Sequence, residues 1–148
     1  MKFLSGLAPY AFAALRIVAG FLFLCHGAQK LFGAFGGPQM IHIPLMLVAG
    51  IIEFGAGILI VLGLFTRIAA FIASGEMAVA YFMHHAKSGF WPILNKGELA
   101  VTYCFLFLFI ACYATSIVIN ASFDVTLEGP TVGIWFWCLF GFGHTLLV

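Results

Sequence analysis

The chain has 148 residues, 64% of them hydrophobic and only 7% charged, with a formal net charge of +1. That is too little polar surface to coat a soluble globule of this size, so the composition is that of a membrane protein with the lipid bilayer as its first partner. Its six basic residues are too scattered to form a nucleic-acid patch or a polybasic lipid switch.

Met1-Lys2-Phe3-Leu4 places one positive charge ahead of an apolar run, in faint imitation of a signal peptide. The run continues well past the length of such a segment and reads as an uncleaved first span. Four spans follow from hydropathy and punctuation, each near the roughly 20 residues that cross a bilayer. The first is expected from about Pro9 to Phe32, before a Gly33–Pro38 break, and the second from about Ile41 to Phe65. After a short Thr66-Arg67 turn, the third runs from about Ile68 to Ala86. A loop from Lys87 to Lys96 carries Phe90-Trp91-Pro92 as an interfacial anchor, with Tyr81 and Phe82 at the same depth. The fourth span starts near Gly97 and ends by about Tyr113, fraying as far as Asn120.

No stretch alternates apolar with polar at period two, so the spans are helices, and the expected fold is an all-α, antiparallel four-helix membrane bundle over residues 1–120. Residues 121–148 form an apolar aromatic tail containing Trp135, Phe136, Trp137, Phe140 and Phe142. A fifth span, an interfacial segment and a strip docked on another subunit are all open for it. Cys25, Cys104, Cys112 and Cys138 lie in apolar runs without a C-x-x-C pair and read as small buried hydrophobes.

Ionisable residues inside such spans cost at least roughly 2.5–3.5 kcal/mol unless they face protein or water. Small residues at helical spacing show where the faces meet: Ala13, Gly20, Gly27 and Ala34 in the first span, Gly50 and Gly57 around Glu53, and Ala69, Ala73 and Ala80 beside Glu76. With side A the face that holds the N-terminus, a rise of about 1.5 Å per residue puts Arg16, Glu53 and Glu76 roughly 10–15 Å from that side. This is an intramembrane charge layer in which the arginine is expected to sit between two carboxylates. The bland alternative is that the triad only locks three helices together. A second layer is expected near side B, with His26 and Lys30 four residues apart on one face, His84 continuing the Glu76–Ala80 seam, His85 turned about 100° from it, and Glu98 opening the fourth span. Such groups can relay protons, bind the polar head of a redox ligand or hold a metal. No metal is assigned, because no H-x-x-x-H or E-x-x-H spacing repeats across the spans.

Several motifs carry a family resemblance. They are Leu15-Arg16-Ile17-Val18-Ala19-Gly20, His26-Gly27-Ala28-Gln29-Lys30-Leu31-Phe32-Gly33, Glu53-Phe54-Gly55-Ala56-Gly57, Gly63-Leu64-Phe65-Thr66-Arg67-Ile68-Ala69-Ala70, His84-His85-Ala86-Lys87-Ser88-Gly89-Phe90-Trp91-Pro92, and Asn95-Lys96-Gly97-Glu98-Leu99-Ala100. In order and spacing, over roughly residues 8–113, they resemble the DoxX family of small four-helix membrane proteins. The resemblance implies a multi-pass protein of the bacterial inner membrane. The family name derives from a subunit of a quinone-reducing thiosulfate oxidoreductase, and relatives are linked to redox homeostasis. Positions carried over by motif are Arg16, His26, Lys30, Glu53, Arg67, His85 and Glu98; Glu76 is added by the packing argument. Two departures stand out. Ala111-Cys112-Tyr113-Ala114-Thr115-Ser116 replaces a Gly/Pro-rich turn, although Ser122-Phe123-Asp124 keeps the family's ending, and the aromatic tail is added.

Three functions remain in play: a redox-linked protein that holds a quinone-like head group on side B, a non-enzymatic accessory or scaffold subunit of a larger membrane complex or homo-oligomer, and a transporter or proton conductor. With no haem attachment motif, iron–sulfur cysteine set, nucleotide loop or nucleophile elbow, redox chemistry would require a bound cofactor or partner, and no catalytic residue is assigned.

Overall fold

The computed structural model describes residues 2–128, and side chains over residues 6–115. Every regular element among them is helical: α1 (Lys2–Phe32), α2 (Pro44–Leu62), α3 (Thr66–Ala80), a short α4 (Pro92–Asn95) and α5 (Glu98–Glu128). Among the described residues, three segments are long and apolar enough to cross a membrane, Gly6–Phe32, Pro44–Leu62 and Glu98–Thr115. α3 has 15 residues, short of the roughly 20 that span hydrocarbon, but a π-helical turn, Tyr81–His85, continues it.

The boundaries differ from the hydropathy expectation for local reasons. α1 starts before Pro9, which lies inside the helix and removes one i→i−4 hydrogen bond there, while the apolar run on either side stays helical. Pro44 opens α2 at its first position, and Gly63 closes it in the left-handed region at φ 79°. There the amide of Gly63 donates to Ile60 O (3.3 Å) and that of Leu64 to Leu59 O (2.9 Å), the paired bonds of a Schellman end. α5 runs unbroken past residue 120 to Glu128, so its backbone takes in the first residues assigned to the tail. The rest of the tail lies outside the described residues.

In lipid the hydrophobic effect gives helices no reason to associate, so close packing must do it. Glycines in α1 and α2 supply that packing. A Cβ on Gly27 would lie 2.8 Å from Phe54 Cα, one on Gly57 2.7 Å from Leu24 Cβ, and one on Gly20 2.9 Å from an Ile60 methyl. Rising numbers in α1 meet falling numbers in α2, so the pair is antiparallel. α3 pairs with α5 in the same sense, with Ser74 Oγ donating to Cys104 O at 2.8 Å and the Tyr81 ring lying against Gly97. α1 reaches α5 through aromatic contacts, Phe12 to Tyr113 (4.4 Å between centroids) and Phe23 to Phe107 (4.7 Å). Phe23, Ile60, Phe107 and Ile110 are the largest fully buried side chains, surrounded by Ala19, Ala69, Ala70 and Ala73. The outer surface is apolar: Phe71 and Phe105 are each 66% exposed and Ile68 is 59% exposed, an outside made for acyl chains rather than water.

Candidate functional site

The close approach of α1 and α2 at Gly27 creates the central polar contact. With the backbones of Gly27 and Phe54 touching, Lys30, less than one turn further along α1, is within reach of Glu53. Lys30 Nζ donates to Glu53 Oε1 at 2.6 Å, and the two side chains are 24% and 3% exposed. Glu53 Oε2 is buried without a hydrogen-bond partner among the described residues, and so is Glu76 Oε2. Both acids line one cavity of about 840 Å³ that also meets His26, Lys30, His84 and Tyr103, with Met40, Met46, Met77 and Met83 among its apolar walls.

The π turn sets the histidines. It delivers His84 and His85 with rings 5.2 Å apart at 87°, and both reach the cavity wall. His84 is exposed, whereas His85 is half-buried with Nδ1 3.1 Å from Asn95 O. Asn95 is buried and ties the loop down: its Nδ2 donates to Gly89 O (2.7 Å) and its Oδ1 accepts from the Gly97 amide (2.8 Å). The Tyr81 hydroxyl donates to Phe90 O across the same loop. Tyr81 therefore lies beside the Phe90-Trp91 segment, as its expected depth requires, but as a buried clamp; Phe90 and Trp91, 68% and 65% exposed, remain on the surface.

Two expected site residues are elsewhere. Arg16 does not join the carboxylates: its Nη1 donates to Ile60 O at 2.9 Å and its guanidinium packs on Gly63, where it caps the last carbonyls of α2. The seven residues from Glu53 to Ile60 take up about 10 Å of helix, and this separates the two groups. Lys30 is Glu53's ion partner instead. Glu98 is exposed at the first position of α5 and is not on the cavity wall. Its position there suits the positive end of the helix dipole. Arg67, carried over by motif, is exposed and borders a second cavity of about 320 Å³ with Phe71, Leu108 and Cys112.

Sequence reading missed Asn95 and Tyr103. Asn95 had a readable signal, since Asn two residues before a Gly at a helix start commonly folds its side chain onto the backbone. Tyr103 shares a helical face with Leu99 and Phe107, but nothing in one sequence marks which face of an all-apolar helix turns inward.

Chemically, an ammonium, two carboxylates, imidazoles and a phenol facing one apolar-walled space can hydrogen-bond a small polar ring and pass protons to or from it.

The DoxX family profile matches residues 11–86, from α1 through the π turn. A protein of Haemophilus influenzae (strain ATCC 51907 / DSM 11121 / KW20 / Rd), described as an uncharacterized protein, is 48% identical over 116 residues, covering 74% of this chain and 87% of its own length. No solved structure matches the chain. On the profile match and that relative, and with three helices among the described residues apolar and long enough to cross a bilayer, the chain belongs to the DoxX family of membrane proteins.

Proposed function

We propose that this protein crosses the bacterial inner membrane as an antiparallel four-helix bundle, with α3 and its π turn as the fourth span, and that its cavity binds the head group of a quinone-like redox ligand. The observation that carries this reading is the meeting of the Lys30–Glu53 pair, the unpartnered Glu76 oxygen, Tyr103 and His84 in one cavity with mostly apolar walls. Two carbonyls across a ring need donors, and Lys30, Tyr103 and the imidazoles supply them; a reduced ring needs acceptors, and Glu53 and Glu76 keep one free oxygen each. Electrons would come from or go to a partner, since this set of side chains accepts protons but not electrons. The Arg16 cap and the Asn95 loop clamp hold the walls in place without touching the ligand.

The test is to purify the protein in mild detergent, extract it with organic solvent and assay quinone. Stoichiometric quinone that is lost on Lys30→Met and Glu76→Leu but kept on Arg16→Lys supports the reading. Stoichiometric partner chains with no quinone would make the protein an accessory subunit instead. Proton flux in liposomes that depends on Glu76 would point to a conductor.

A further inference from the structure

We infer that the ligand enters the cavity sideways from the hydrocarbon of the bilayer, through a slot between the first half of α2 and the second half of α3, and that it is an amphipath whose long tail stays threaded in that slot. This rests on the head-group reading above and adds the ligand's route and shape.

α2 and α3 are joined by only three residues, and near that turn they are closed: Ala56 and Ile60 of α2 share the buried core with Ala69, Ala70 and Ala73 of α3. Away from the turn the cavity lies between them. Its lining there includes Leu45 and Val48 from α2, Ile72 and Val79 from α3, and Met83 from the π turn that continues α3. Each of these side chains is also on the outer surface, with exposures of 48%, 55%, 48%, 49% and 48%. A side chain that both lines a cavity and faces outward forms its lip, and these five lips are apolar. The polar lining is more buried than these lips: the Lys30 and Glu53 side chains are 24% and 3% exposed, and Glu76 is half-buried. The apolar edge therefore opens toward acyl chains while the polar groups lie deeper, an order that suits a ligand with a polar ring inside and a hydrocarbon tail outside. Every methylene kept in hydrocarbon avoids the free energy of transfer to water, so a tailed ligand favours this route over the one past Lys87 and Lys96 at the loop end. Met83, unbranched and flexible, can move aside for the tail.

The test uses the full chain in lipid nanodiscs and two probes, a benzoquinone with a long prenyl tail and the same ring without a tail. Val79→Trp and Val48→Trp narrow the slot from opposite lips, and Val18→Trp adds the same bulk to the outer face of α1, away from the cavity. Thermal unfolding confirms that each variant is folded. Both slot variants are expected to weaken the tailed probe by roughly tenfold or more, because the added ring occupies the tail's path and the slot cannot hold both without overpacking, and to leave the tail-less probe unchanged; Val18→Trp changes neither. Equal loss of both probes in the slot variants, or loss of neither, overturns the slot while the head-group reading stands. A wild-type chain that binds neither probe overturns both.

Discussion

The α1–α2 contact makes a quantitative claim that a single methyl group can test. A Cβ added at Gly27 would lie 2.8 Å from Phe54 Cα and 2.9 Å from the Glu53 carbonyl carbon, both backbone atoms that cannot rotate away. Ordinary contact begins at 3.4 Å, so Gly27→Ala must push the helices apart by about half an ångström or more and stretch the Lys30–Glu53 bond just beyond it. Overpacking of this kind costs about 1–3 kcal/mol. Alanine is also a better helix former than glycine by about 1 kcal/mol, which would mask part of that loss. Gly55 and Gly75 remove the ambiguity, since a Cβ at either meets nothing within 4 Å. Gly55→Ala and Gly75→Ala should therefore match or exceed wild-type stability, and Gly27→Ala should fall below both by about 1–3 kcal/mol, several degrees of melting temperature for a chain of this size. The assay is thermal unfolding of the purified variants in one detergent. A Gly27→Ala protein as stable as Gly55→Ala would refute the close approach of α1 and α2.

Other consequences follow from the same contacts. Lys30→Met strands the buried Glu53 carboxylate and should cost about 3–5 kcal/mol, while Lys30→Met with Glu53→Leu should regain most of that; a double-mutant cycle of unfolding midpoints measures it. Arg16→Ala removes the charged bond to Ile60 O and should cost about 1.5–3 kcal/mol in the same assay, with quinone retention unchanged because Arg16 is not on the cavity wall. Asn95→Ala breaks two loop bonds and should cost roughly 1–3 kcal/mol, with faster amide exchange confined to residues 89–97.

Hydropathy marked three of the helices well because long apolar runs leave little choice in a bilayer. It marked the helix faces too where glycines cluster: Gly20, Gly27, Gly50 and Gly57 all lie at the α1–α2 contact. Ala34 does not, since it falls in a 3-10 turn after α1 has ended. Side-chain partners were harder to read. Which cation meets Glu53 depends on a register fixed by backbone contact at Gly27, and depths counted from assumed span ends are too coarse to choose between Arg16 and Lys30. The π turn was illegible because one extra residue in a helical turn changes the direction of His84 and His85 without any sign in composition.

The central claim is that buried ionisable side chains converge on a ligand-holding cavity that opens to lipid. A structure of the full chain in lipid nanodiscs with bound native ligands tests it most directly. The account predicts ring-shaped non-protein density against Lys30, Glu76 and Tyr103, with a tail leaving between Val48 and Val79. Glu53 and Glu76 turned outward against acyl chains, or a closed interior with no room beside them, would contradict it.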